Sequence, residues 1–219
     1  MKTPVRKMDI AVWGVLFLTL GAISVAFVWS RLNRREPVAS RSLPIYGQVS
    51  DFTLINQNGQ AVSLADLRGT VWVADIIFTR CAGPCPQMTR QMRELQAALP
   101  ADSPVKLVTL TTDPEFDTPP VLSKYARQFG ANLDRWTFLT GTKREIANLA
   151  VGGLKLSAVE VKPEDRASPE DLFIHSTIFV VVDKQARLRG VFETTGPGVN
   201  SQAVEGKILA AVETLAREN

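Results

Sequence analysis

Cys81, Cys85 and His175 are the only thiols and the only imidazole in this chain of 219 residues. Soft-metal or thiol chemistry therefore uses these side chains or none. The cysteines lie four positions apart in Thr79-Arg80-Cys81-Ala82-Gly83-Pro84-Cys85-Pro86, between an apolar run and an amphipathic one. That pattern places them at a strand-to-helix junction. The free N–H groups and partial positive charge of a helix start favour a thiolate, the form that attacks disulfides and binds metals. If Cys81 opens the helix, Cys85 follows one turn later on the same face. Their Cα atoms would then be about 6 Å apart, within the span of a disulfide. The same closeness brings two sulfurs to one metal ion, so the spacing supports a redox dithiol and a two-thiolate metal site alike. Two cysteines this close cannot staple a whole domain.

His175 precedes the apolar run 176–182 and follows a polar stretch. Taken alone, one histidine at a strand end is more often structural than functional. It reaches the cysteines only if strand 176–182 runs antiparallel to its neighbour, so that its start meets the carboxyl edge where loops of an α/β sheet form sites.

The elements that must position these residues follow from periodicity. Residues 51–55 and 61–64 flank Asn56-Gln57-Asn58-Gly59 as a hairpin with Asn-Gly at its turn. Residues 70–78, TVWVADIIF, read as a strand covered on both faces. Met88, Met92, Leu95 and Leu99 share one helical face, ended by Pro100. A second core strand spans 105–110. Thr118 caps a helix with Pro119 in its first turn and Val121, Leu122, Tyr125 and Phe129 as its apolar face, ended by Gly130. A short strand at 136–139 precedes a capping box at Thr142-Lys143-Arg144-Glu145. Residues 157–171, polar and holding Pro163 and Pro169, read as an inserted loop or hairpin. Strands at 176–182 and 188–193 pair across a turn at 183–186, and Val204, Ile208, Val212 and Leu215 mark a closing helix. The fold class is α/β, a mixed central sheet with helices on both faces. Asp113 and Asp117 bracket the loop after the second core strand. They are read as modulating charge at the site or contacting a partner, or equally as turn and cap residues.

Upstream, residues 10–29 are twenty uncharged residues, long enough for one membrane-spanning helix and longer than a signal-peptide core of ~7–15 residues. Trp13 and Trp29 stand near its ends, where indole rings favour the interface. Lys2, Arg6 and Lys7 flank one side and Arg31, Arg34 and Arg35 the other, so charge does not fix orientation. The expected organisation is a tail at 1–9, a transmembrane anchor at 10–30, a linker at 31–44 and a globular domain at 45–219. A single N-terminal span before one domain places that domain in the periplasm or an equivalent extracytoplasmic space. The net charge of +3, from 25 Lys and Arg against 22 Asp and Glu, is dispersed, with no basic stripe interleaved with aromatics. Nucleic-acid binding is excluded on that ground, and a monomer is assumed.

Three segments in order carry a resemblance: residues 78–86, FTRCAGPCP; residues 112–119, TDPEFDTP; and His175-Ser176-Thr177. Together with the N-terminal anchor they resemble the Sco/SenC family over roughly residues 45–217. The resemblance implies a thioredoxin-like fold with an added hairpin. It implies copper, as Cu(I) or Cu(II), held by Cys81, Cys85 and His175. It also implies a chaperone role in assembling the dinuclear copper site of cytochrome c oxidase, the partner being that enzyme's copper-bearing subunit or another periplasmic thiol or copper protein. His175 falls where thioredoxin-like proteins place their cis-proline loop, which would set it beside the dithiol. The family commonly has Cys-Pro-x-x-Cys-Pro. Here Ala82 replaces the first proline and Gly83-Pro84 precede Cys85, which resembles the thioredoxin Cys-Gly-Pro-Cys motif with one residue inserted. That departure supports an alternative, a thiol–disulfide oxidoreductase with Cys81 and Cys85 as redox dithiol and Cys81 as attacking thiol. A redox- or copper-sensing interaction module is the third reading. No peroxidase, serine-hydrolase or Walker-type motif is present.

Overall fold

The computed structural model describes residues 13, 16–24, 29, 42–165 and 173–218, without the side chains of Ala158, Pro163, Ile174 and His175. The chain divides into two compact units, Met1–Arg41 and Ser42–Asn219. In the first, the described residues are helical. Most of the expected anchor at 10–30 lies outside the described residues, and among those described no helix is long and apolar enough to cross a membrane.

The second unit is an α/β domain. In chain order it contains β1 (Gly47–Gln48), β2 (Thr53–Asn56), β3 (Ala61–Ser63), β4 (Trp72–Ile77), α1 (Cys85–Ala98), β5 (Lys106–Thr111), α2 (Pro119–Gln128), β6 (Trp136–Thr140), α3 (Lys143–Ala147), β7 (Ala158–Glu160), β8 (Phe173–His175), β9 (Ile178–Val182), β10 (Arg187–Glu193) and α4 (Ser201–Arg217). Eight strands form one sheet in the order β1-β10-β9-β4-β5-β6-β2-β3, while β7 and β8 pair separately. β4, β5 and β6 are parallel, and every other pairing is antiparallel.

Alternation along β4 explains the two-faced core. Val73 and Ile77 join Met88, Met92, Leu122, Tyr125, Trp136, Ile208 and Val212, so α1, α2 and α4 cover one face. Trp72, Ala74 and Ile76 join Leu64, Ile146, Leu149 and Leu154 on the other. All six residues of β4, Asp75 included, are buried, as expected of a strand covered on both faces. The hairpin turn is built as its residues dictate. The Asn56 side-chain oxygen accepts from the Asn58 and Gln60 amides at 2.9 and 3.0 Å, and Gly59 adopts φ 77°, a value that glycine takes without steric cost. Thr142 and Glu145 form the reciprocal capping box at the start of α3.

Two expectations about the site's scaffold are corrected. Helix α1 begins at Cys85, with Pro84 as its N-cap, so Cys81 sits in the preceding loop rather than in the first turn. His175 is not at the head of a core strand. It ends β8, the second strand of the inserted hairpin, and the core strand β9 starts only at Ile178. β9 does run antiparallel to β4, with Trp72 opposite Val182 and Ala74 opposite Val180. Its start therefore lies at the carboxyl edge of β4, from which the cysteine loop departs.

Candidate thiol and metal site

The cysteine loop leaves β4 where the next loop leaves β5. Ile77 and Thr111 are partners in the parallel ladder, and the Thr112 amide donates to the Ile77 carbonyl at 2.8 Å. Residues 78–84 and 112–118 therefore rise side by side and are bonded to each other. Asp117, 0 % exposed, accepts from the Thr79 amide at 3.1 Å and from the Thr79 and Thr111 hydroxyls. Asp113, also buried, accepts from Arg80 Nε and Nη2 at 3.2 and 2.5 Å. The Arg80 guanidinium lies 4.1 Å from the centroid of the Phe116 ring. The two residues preceding Cys81 are thus each tied to an aspartate more than thirty positions away. The Asp113 carbonyl also closes the turn, accepting from the Phe116 and Asp117 amides at 3.1 and 2.8 Å, so these aspartates combine turn chemistry with bonds to the neighbouring loop.

Cys81 is partly exposed and Cys85 is buried. A hydrogen bond with Cys81 and then burial push the Cys85 thiol upward, and a backbone hydrogen bond at Phe78 opposes them. The pair is therefore asymmetric. The inner sulfur keeps its proton, and the outer one is the sulfur better placed to meet an incoming group. What distinguishes the two sulfurs is the burial of Cys85, not a helix cap at Cys81, since the helix starts only at Cys85.

The base of α1 is held from below. Thr89 donates to the Cys85 carbonyl at 2.9 Å and lies 2.8 Å from the Tyr125 hydroxyl, which donates to it in turn. Burial raises the Tyr125 phenol, so it stays a neutral donor. Beneath the thiols, Asp75 lies on the α1 face of β4, 0 % exposed. Its Oδ1 accepts from Thr109 at 2.7 Å, and Thr109 accepts from Trp136 Nε1 at 2.9 Å. Its charge further raises both Cys85 and Tyr125. The only sequence signal for Asp75 was an acid interrupting the apolar run 70–78.

The backbone of His175 pairs with Ala158, and its side chain lies outside the described residues. Phe173, two positions earlier, packs edge-on against Phe78 with ring centroids 5.2 Å apart, and Phe78 ends the segment leading to the cysteine loop. The hairpin that carries His175 is therefore seated on the cysteine side of the sheet. Among the described residues no three His, Cys, Asp or Glu side chains gather to hold an ion. Two thiols bonded to each other suit a soft ion, with an imidazole as the third donor.

A sequence profile of the SCO1/SenC family matches residues 46–212. The chain is 40% identical over 147 residues to the SCO1 protein homolog of Bacillus subtilis, covering 66% of this chain and 73% of that protein. It is similar to the solved structure of BsSco, described as a member of the Sco family of cytochrome c oxidase assembly proteins with a disulfide switch: TM-score 0.66, 33% identity, 82% of this chain and 98% of that one. It shares its fold with the copper-bound ScoI of Bradyrhizobium japonicum, at TM-score 0.63 and 22% identity over 77% of this chain and 99% of that one. The profile match across most of the chain, the 40% identity and the common thioredoxin-like architecture establish that this chain belongs to the SCO1/SenC family.

Proposed function

We propose that this chain is a membrane-anchored copper chaperone acting outside the cytoplasm, with Cys81, Cys85 and His175 as copper ligands and the copper-bearing subunit of cytochrome c oxidase as acceptor. The observation that carries this reading is the hydrogen-bonded pair of Cys81 and Cys85, flanked by the hairpin bearing the chain's single histidine. Copper is cargo here, taken up and passed on. Two thiolates suit Cu(I), and adding an imidazole suits Cu(II). The family's role in oxidase assembly, named for BsSco, and the copper held by ScoI support the assignment. The anchor at 10–30 and the tether at 31–44 belong to the same proposal, resting on the uncharged run of residues 10–29.

His175→Ala is expected to weaken Cu(II) binding at least about tenfold more than Cu(I) binding, because imidazole is the harder donor of the set. Competition titrations of the reduced full-length chain, anaerobic for Cu(I), measure both affinities. Equal losses for the two ions would remove His175 from the site. The function itself is tested in cells lacking the chain. Oxidase copper content should be restored by the wild type and not by Cys81→Ser, Cys85→Ser or His175→Ala.

The asymmetry of the dithiol supports a second reading, in which the pair reduces a partner's cysteines. An outer thiolate attacks, and the buried thiol resolves the mixed disulfide. On that reading His175→Ala restores the oxidase and an added reductant replaces the protein. On the copper reading neither holds.

A further inference from the structure

We infer that Arg80 is the recognition residue of the dithiol, and that it selects partners carrying a carboxylate beside the cysteine they present. The inference deepens the proposed function, since it rests on a partner thiol or copper site meeting Cys81.

Arg80 directly precedes Cys81, and its side chain is 43% exposed. Long cations at a surface usually sample many rotamers, and ordering them on binding costs free energy. Here the ordering is already done. Asp113 holds Nε and Nη2 from below, and the Phe116 ring lies against the guanidinium. Nη1, with two N–H donors, makes no hydrogen bond among the described residues. A fixed planar guanidinium with a free donor edge is a receptor for carboxylate.

The surroundings fit this use. Ala82 and Gly83, on the other side of Cys81, are exposed and uncharged, so an incoming strand meets neither bulk nor a competing charge there. Phe116 is 43% exposed and provides an aromatic floor. The nearby Glu115 is engaged by Lys143 at 3.3 Å. Neutralising Asp113 accounts for the ion pair. It does not account for the aromatic support or for the second terminal nitrogen, which it leaves unbonded among the described residues on a side chain that is 43% exposed.

The test uses the reduced full-length chain in detergent and a peptide of fixed sequence with one cysteine activated as its pyridyl disulfide. The residues flanking that cysteine are Glu in one version and Lys in another. The Cys81 thiolate attacks the peptide sulfur, and the sulfur–sulfur bond to the pyridyl group breaks. Pyridinethione leaves with the electron pair and takes a proton, and its absorbance reports the rate. Cys85 then gives up its proton and attacks Cys81, releasing the peptide thiol. The protein dithiol is oxidised by two electrons, and the activated disulfide is reduced to two thiols. Any accessible thiolate reacts with such a probe, so the readout does not depend on whether disulfide exchange is the physiological role.

At low salt the Glu peptide is expected to react about tenfold faster than the Lys peptide, the size that attraction and repulsion at one half-exposed charge give together. At 1 M salt the ratio should shrink to about twofold. In Arg80→Gln the low-salt ratio should also fall to about twofold, whatever the common rate. Phe116→Ala alters an exposed side chain, keeps the fold and frees the guanidinium; it should at least halve the ratio. A wild-type ratio near one overturns the inference, as does a ratio that survives both substitutions, which would belong to the general field of the protein. Either result leaves copper affinity untouched, so failure of the inference is distinguishable from failure of the copper reading.

Discussion

Cys85→Ser should bind Cu(I) some hundredfold to thousandfold more weakly than the wild type while staying folded. Cys85 is 0 % exposed, among the apolar side chains of one core face, and its sulfur is hydrogen-bonded to Cys81. Serine is close in size and can keep a hydrogen bond there, so the fold should lose only about 1 kcal/mol. What serine cannot provide is a soft anionic donor. Metal-binding free energies of about 10–16 kcal/mol for four-ligand structural sites imply roughly 2.5–4 kcal/mol for each strong ligand, and that sets the expected loss. The measurement is an anaerobic competition titration beside a thermal melt. An affinity within tenfold of the wild type, in a folded protein, would mean that copper does not use the inner sulfur.

The second large effect is on stability. Asp117→Ala removes the acceptor of three hydrogen bonds, from the Thr79 amide and from the Thr79 and Thr111 hydroxyls, at a position with no exposure. Leaving buried donors without partners costs about 1–3 kcal/mol each, partly recovered where a hydroxyl turns to another acceptor. A net loss of about 3 kcal/mol is expected, lowering Tm by roughly 10 °C in a domain of this size. The pH dependence follows from burial, which pushes the Asp117 carboxyl above its ordinary value, against the hydrogen bonds from Thr111 and Thr79. An acid whose pKa is raised by folding gives its full stabilisation below the unfolded value, near ~3.9, and loses it as pH rises through the raised value. Asp117→Asn, which stays neutral, should therefore cost most in acid and progressively less toward neutral pH. Denaturant melts of both proteins across that range measure the difference. A cost that grows with pH would mean that the threonine donors hold a carboxylate and outweigh burial.

Local chemistry made much of the scaffold legible. The Asn-Gly turn, the doubly covered β4, the Met88-Met92-Leu95 face and the Thr142–Glu145 box were all readable, because each depends on residues a few positions apart. The antiparallel course of β9, required for His175 to approach the cysteines, is also found. The misread features depend on longer-range partners. The start of α1 shifts to Cys85 because the segment before it bonds sideways to the 112–118 loop instead of winding into a helix. β1 is only two residues long and is a strand only because β10 lies beside it. His175 belongs to β8 through pairing with Ala158, seventeen positions earlier, across an insertion without strong periodicity. Asp113 and Asp117 were visible as a motif, but their bonds to Arg80 and Thr79 span 33 and 38 positions, beyond any local pattern.

The most direct test of the copper assignment is X-ray absorption at the copper edge of the full-length chain loaded with one equivalent of Cu(I), then of Cu(II). The account predicts two sulfur scatterers in both states and a nitrogen scatterer in the Cu(II) form. One sulfur should disappear in Cys81→Ser and in Cys85→Ser, and the nitrogen in His175→Ala. A shell of oxygen and nitrogen alone, or one unchanged by these substitutions, would contradict it.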